Sequence, residues 1–239
     1  MAQVSRRIFL MGLPFWPFRR KHVRLAGVEF QVIRHGSSTR RYLFIHGNEE
    51  TARQVLKEHM KTHRGTAYLV AGKERNVPVA GGVLDPNRMY SREGAERNFK
   101  TLNPQWTPGQ LERELARLDR TREKLIRALT PPPGGVTIAV HNNSSAYSVR
   151  TEVGISDQVK LNEPNNPHEF FLTTDARDFR VLAKSRYNVV LQNKAPKEDD
   201  GSLSRLMAKR GIRYVNLEVG LGKLDRQKEM LEWLVRNLP

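Results

Sequence analysis

Three short apolar runs, each stopped by an imidazole or a carboxylate, constrain this chain more than anything else in it. Tyr42-Leu43-Phe44-Ile45 runs into His46, Val136-Thr137-Ile138-Ala139-Val140 into His141, and Tyr214-Val215-Asn216-Leu217 into Glu218. Runs this short and this apolar, bounded by polar and glycine-containing stretches, read as buried strands. Helical patterns lie between them, and alternating strands and helices call for an α/β fold, here a three-layer α/β/α sandwich. In open α/β sheets ligands bind outside the carboxyl ends of the strands. The pattern therefore delivers two histidines and a glutamate from three separate strands to one functional edge.

The rest of the chain fits around these strands. Residues 23–33 alternate loosely and read as one opening strand, and residues 67–71 as another. Residues 50–60 form a helix after His46. Residues 77–90 read as a loop at the functional edge. Thr107-Pro108-Gly109-Gln110 starts a helix, with Thr as cap, Pro at the first position and Gln at the third. Leu111, Leu115, Leu118, Leu125 and Leu129 give that helix one apolar stripe facing the core. Pro131-Pro132-Pro133-Gly134-Gly135 ends it. Residues 156–166 read as a loop, 170–173 and 189–192 as strands around a helix at 176–184, and 202–210 as a short helix. Residues 194–201 form a charged loop able to cover the edge. The last helix, 223–238, packs through Met230, Leu231, Leu234 and Leu238.

The residue types at the edge suit a metal. His46 and Glu49 stand three apart in His46-Gly47-Asn48-Glu49, and His141 supplies a third donor. Zinc takes nitrogen and oxygen ligands at about 2.0–2.2 Å, and its catalytic sites use three protein ligands and one open position. Glu218, a carboxylate outside that ligand set, suits a general base. In Asp85-Pro86-Asn87-Arg88 the guanidinium of Arg88 offers a planar fork for a substrate carboxylate, with Asn87 beside it. Taken singly, each residue has an ordinary reading: a hydrogen-bonded histidine, an ion-paired glutamate, a solvated arginine. Their order and their position at strand ends favour the joint one. His59 and His63, four apart, have the spacing of a metal pair but no Glu between them, and read as a solvated basic helix end. His22, His35 and His168 have no partner at ligand spacing.

His-Gly-Asn-Glu, Asp-x-Asn-Arg, His-Asn-Asn and Glu-Val-Gly, in this order, resemble the zinc carboxypeptidase superfamily, and within it the aspartoacylase and succinylglutamate desuccinylase branch. The likeness runs from about Arg41 to the end of the chain. It implies a mixed central sheet and one Zn2+ per chain on His46, Glu49 and His141. It also implies Glu218 as the base and Asn87 and Arg88 on the substrate carboxylate. A second arginine upstream, which polarises the scissile carbonyl, would be Arg75. A phenol completing the site would be Tyr147 or Tyr90. One position departs from the family pattern: Ala139 stands where an acid usually precedes the third ligand by two residues, a site from which partners tune metal affinity. The implied activity is hydrolysis of an amide bond next to a free carboxylate, in a small peptide or an N-acyl amino acid. The alternative is an inactive member that binds carboxylate-bearing ligands or an anionic envelope surface.

The 239 residues suit one domain over 23–239 behind a basic leader, 1–22. The absence of cysteine excludes disulfides, thiolate ligands and thiol catalysis. Of the net charge of +16, residues 1–24 hold six Arg and Lys and no acid, leaving +10 for the remainder. The remaining bases are interleaved with acids, and no nucleic-acid motif accompanies them, so no specific nucleic acid is expected. Ser5-Arg6-Arg7-Ile8-Phe9-Leu10 resembles a twin-arginine export motif, and favours an exported, periplasmic bacterial protein over a cytoplasmic one. Against it, the apolar run 8–18 contains Pro14 and Pro17 and lacks a small-x-small cleavage site. The other reading of the leader is a basic segment touching anionic membrane.

Overall fold

The structure is a computed structural model that describes residues 19–79, 81–144, 146–194 and 198–239. The twin-arginine-like stretch lies outside the described residues. Along the chain run β1 (Arg19–Leu25), β2 (Val28–His35), β3 (Arg41–Phe44), α1 (Glu50–Thr62), β4 (Gly65–Val70), β5 (Val77–Val79) and β6 (Gly82–Leu84). A 3-10 turn (Pro86–Arg88), α2 (Arg92–Leu102), α3 (Pro108–Leu129), β7 (Thr137–Asn143), α4 (Val149–Val153) and β8 (Gln158–Lys160) follow. The chain continues through β9 (Phe170–Thr173), α5 (Ala176–Leu182), β10 (Asn188–Leu191), α6 (Leu203–Lys209), β11 (Tyr214–Gly220) and α7 (Leu224–Asn237).

Among the described residues, nine strands form one mixed sheet in the order β1-β2-β4-β3-β7-β11-β9-β10-β8. β4, β3, β7 and β11 run parallel, as do β9 and β10. β1, β2, β8 and the β11–β9 contact are antiparallel. All seven residues of β7 are buried. Successive strand residues face opposite sides, so the sheet is covered on both faces, as the sandwich requires. α1 packs on β2, β3, β4 and β7 and against α7, while α2 and α3 pack together and α3 lies on β1 and β3. The three central parallel strands β3, β7 and β11 end side by side, with His141 paired to Glu218 in register. No helix among the described residues is long and apolar enough to cross a membrane.

The helix from Thr107 forms with both halves of its capping box: Gln110 N–H donates to Thr107 Oγ1 and Thr107 N–H to Gln110 Oε1. Four of the five stripe leucines are buried and Leu111 packs at the margin. Other expectations are corrected. Residues 23–33 are not one strand but parts of the β1–β2 hairpin. Ala26 (φ 51°) and Gly27 (φ 80°) make its two-residue turn between the paired Leu25 and Val28, the left-handed backbone such turns need. The expected loop 77–90 contains the β5–β6 hairpin and the 3-10 turn. The expected loop 156–166 contains β8, a short edge strand on β10. α2, capped by Ser91 Oγ accepting from Gly94 N–H, was not expected at all.

Candidate metal centre and active-site cleft

The sequence between β3 and α1 turns within four residues. Glu49 N–H donates to His46 O at 3.2 Å, and Glu49 occupies the cap position of α1. Gly47 approaches the backbone of residues 73–74 so closely that a Cβ would lie 2.5 Å from Glu74 O. That contact holds the segment carrying Arg75 over the turn. On the neighbouring strand, Asn142 ties β7 to α1. Its backbone N–H donates to Glu49 Oε2 at 3.1 Å and its Oδ1 accepts from Ala52 N–H at 2.8 Å. Gln227 of α7 donates to His141 O and accepts from Asn142 Nδ2.

These local constraints converge three buried donors. His46 Nδ1 stands 2.7 Å from Glu49 Oε1, and His141 Nδ1 3.1 Å from Glu49 Oε2. The donor atoms of the three residues all lie within 4.8 Å of one another. Asp85 Oδ1 sits 2.9 Å from His46 Nε2. A neutral His46 that donates from Nε2 to Asp85 turns a lone pair toward the Glu49 carboxylate. Two acceptors at 2.7 Å need a proton or a cation between them. The residues present therefore fit a metal ion. Burial opposes charge on His46, but its contacts with Asp85 and Glu49 outweigh burial and raise its pKa. Burial would raise Glu49, yet the two imidazoles bring it down to about 2.

Glu218 is 4% exposed and ends the same group. Asn216 Nδ2 donates to its Oε1 and Asn143 Nδ2 to its Oε2. Burial pushes its carboxyl up to about 7, against the pull of His141 and with the help of the Glu49 charge. His46, Glu49, His141 and Glu218 all line one cavity of about 290 Å³, with Arg75, Asn87, Arg88 and Arg205 around it. Arg75 Nη2 donates to Asp85 Oδ2 at 3.2 Å. Asn87 Oδ1 accepts from Leu203 N–H, and its amide nitrogen makes no hydrogen bond among the described residues. Arg88 Nη1 stands 3.9 Å from Asp200 Oδ2, on the far part of the charged loop expected to cover the edge.

The structure thus brings His46, Glu49, Arg75, Asn87, Arg88, His141 and Glu218, all singled out by the sequence, to one cavity. Of the two phenols, Tyr147 lines the cavity. Tyr90 does not: it is 2% exposed in the core and its hydroxyl makes no hydrogen bond among the described residues. Sequence reading gave Asp85 no role of its own, although it is the partner of both His46 and Arg75; its position two residues before Asn87 was the available signal. Ala139 is fully buried in the middle of β7 and offers nothing polar to the site.

No protein-family model matches the chain, and no curated protein does. Solved structures do. A succinylglutamate desuccinylase/aspartoacylase from Rhodobacter sphaeroides shares 14% identity over 92% of this chain and 64% of its own, with a TM-score of 0.43. The apo form of an ectoine utilization protein from Ruegeria pomeroyi shares 14% over 95% of this chain and 68% of its own, with a TM-score of 0.49. A metallopeptidase-like protein from Shewanella denitrificans OS217 shares 11% over 93% of this chain and 85% of its own, with a TM-score of 0.46. The chain spans less than two thirds of the length of the first of these.

Proposed function

We propose that this protein is a zinc-dependent hydrolase of an amide bond adjacent to a free carboxylate, acting on a small peptide or an N-acyl amino acid. The observation that carries the reading is the buried His46–Glu49–His141 group, with a second carboxylate, Glu218, held up to about 7 beside it. His46, Glu49 and His141 would hold the ion. Zinc in such a set supplies Lewis acidity, polarising a carbonyl and bringing a water molecule's pKa to about 7. Glu218 takes the proton of the attacking water and hands it to the departing nitrogen, so that the amine leaves neutral. A carboxyl near 7 suits both transfers, because it is readily found in either form at neutral pH. Arg88 and the amide of Asn87 orient the substrate through its carboxylate. Arg75, drawn to the site by Asp85, supports the developing oxyanion.

Two predictions follow from the roles of Arg88 and Asp85. Arg88→Ala should raise KM for a carboxylate-bearing substrate more than it lowers kcat. On the matching amide, which lacks that charge, the variant and the wild type should behave alike. Equal losses on both substrates would remove Arg88 from the carboxylate. Asp85→Asn, which weakens the orientation of His46, should lower zinc affinity by about 10–100-fold, read by competition with a chromophoric chelator. The reading as a whole is tested by assaying zinc-loaded protein on a panel of N-acyl amino acids and C-terminal dipeptides. Turnover that chelation abolishes and zinc restores is expected; none on any member would refute a hydrolase of this class.

A further inference from the structure

The cavity beside the metal cluster has a wall that the proposed reaction leaves unused. Tyr214, Asn216 and Glu218 alternate along β11 and so face one side of the sheet, and they all line the cavity. The cavity therefore follows β11 from Glu218 to Tyr214, about 13 Å at the rise of a strand. At the Tyr214 end stand Glu152 of α4 and Gln192, the residue after β10. Leu191 is level with Thr173, and Thr173 with Val215, so the register puts Gln192 level with Tyr214 rather than with Glu218.

This wall offers acceptors and lacks a cation. Glu152 is 8% exposed and Gln192 2%. Gln192 Nε2 donates to Glu152 Oε2 at 2.5 Å and lies 3.2 Å from Ser156 Oγ. Gln192 Oε1 and Asn216 Oδ1 are buried without a hydrogen-bond partner among the described residues. Glu169, also buried, shows what such a carboxylate ordinarily has: it pairs with both Lys223 and Arg226. Glu152 has no cation at pairing distance among the described residues, and a buried carboxylate left unpaired is costly. The arginines of the same cavity are directed elsewhere, Arg75 to Asp85 and Arg88 to Asp200. Tyr147 lies within reach of both glutamates of the wall: burial and the charges of Glu218 and Glu152 push its phenol well above the ordinary value. Charges of both signs thus line one cavity without neutralising each other.

We propose that Glu152 and Gln192 form a cation subsite that sets the specificity of this hydrolase, so that the amino acid released by cleavage carries a protonated nitrogen on its side chain as well as its free carboxylate. The inference rests on the hydrolase reading above and names the substrate class for it. An ammonium brings three donors and no acceptor, which complements the Glu152 carboxylate and the unpaired oxygen of Gln192. Its entry also supplies the countercharge that Glu152 lacks. The carboxylate of the same substrate goes to Arg88 and Asn87. A neutral side chain of equal length leaves the buried acceptors unpaired, and a site built on polar groups rejects an analogue for that reason.

The test compares zinc-loaded protein on Nα-acetyl-L-ornithine and Nα-acetyl-L-norleucine, whose side chains match in length and differ in charge. Wild type should favour the ornithine derivative in kcat/KM by roughly 10–100-fold, the worth of a hydrogen-bonded charge. Glu152→Gln, whose new amide oxygen still accepts from Gln192 Nε2, should bring that ratio near one. A second readout needs no turnover. L-ornithine should raise the thermal midpoint of wild type more than L-norleucine does, and Glu152→Gln should lose the difference. Equal kcat/KM values in wild type overturn the proposal, as does a preference that folded Glu152→Gln keeps. Where neither compound turns over, equal midpoint shifts overturn it, whereas an ornithine-specific shift keeps the subsite and counts against the hydrolase reading alone. Should Glu152→Gln not fold, Glu152→Asp decides. Its carboxylate is drawn back by one methylene, so the preference should move from ornithine toward lysine, and an unmoved preference overturns the subsite.

Discussion

Glu218→Gln is expected to keep its metal and its fold and to lose about 10²–10⁴ of kcat, the usual worth of a positioned acid–base group. The substitution is nearly isosteric, and the site can absorb an amide. Asn143 Oδ1 and Asn216 Oδ1 are buried acceptors without partners among the described residues. Rotating either side-chain amide lets it accept from the new donor. The same change should stabilise the metal-free protein at high pH. A folded-state pKa of about 7 against 4.5 means that the folded protein binds the proton more tightly than the unfolded chain. Wild-type stability therefore falls as pH rises from about 4.5 through 7. Glu218→Gln escapes that loss. Its advantage should be absent below pH 4.5 and approach about 3 kcal/mol above pH 7, read from denaturation midpoints. A variant that is both more stable at pH 8 and nearly inactive separates catalytic from structural damage. Full activity in Glu218→Gln would remove it as the base.

The second large effect is expected at the ligands. His141→Ala removes one of three donors and leaves Glu49 Oε2 without its imidazole partner. Zinc should be lost on dialysis, and hydrolysis should fall to the background set by carboxylate binding alone. His46→Ala should do the same and also take from Asp85 its imidazole partner, leaving Arg75 and the Asn87 N–H to hold a carboxyl kept well below the usual range against the effect of burial. The thermal midpoint of His46→Ala should therefore drop further than that of His141→Ala. The removal of a single partner from a buried charge is among the costlier substitutions, at about 3–5 kcal/mol.

What the sequence disclosed and what it withheld divide along sequence distance. His46, His141 and Glu218 were legible because each ends an apolar run, and the helix 108–129 because Thr107 and Gln110 announce its start. The β1–β2 hairpin was hidden because its turn is Ala26-Gly27 rather than an asparagine–glycine pair. β5, β6 and β8 span three residues each, too few for alternation to register. α2 is polar enough that only its serine cap marks it. His59 was misread as part of a solvated helix end for a different reason: it is buried against Tyr42 of β3 and Glu232 of the last helix, which only tertiary packing brings to it. The Asp85–His46 contact likewise spans 39 positions.

Zinc content tests the central claim most directly. After dialysis against metal-free buffer, elemental analysis should find about one zinc per chain in the wild type and none in His141→Ala. No zinc in folded wild-type protein, or an amount that His141→Ala leaves unchanged, would contradict a metal centre on His46, Glu49 and His141.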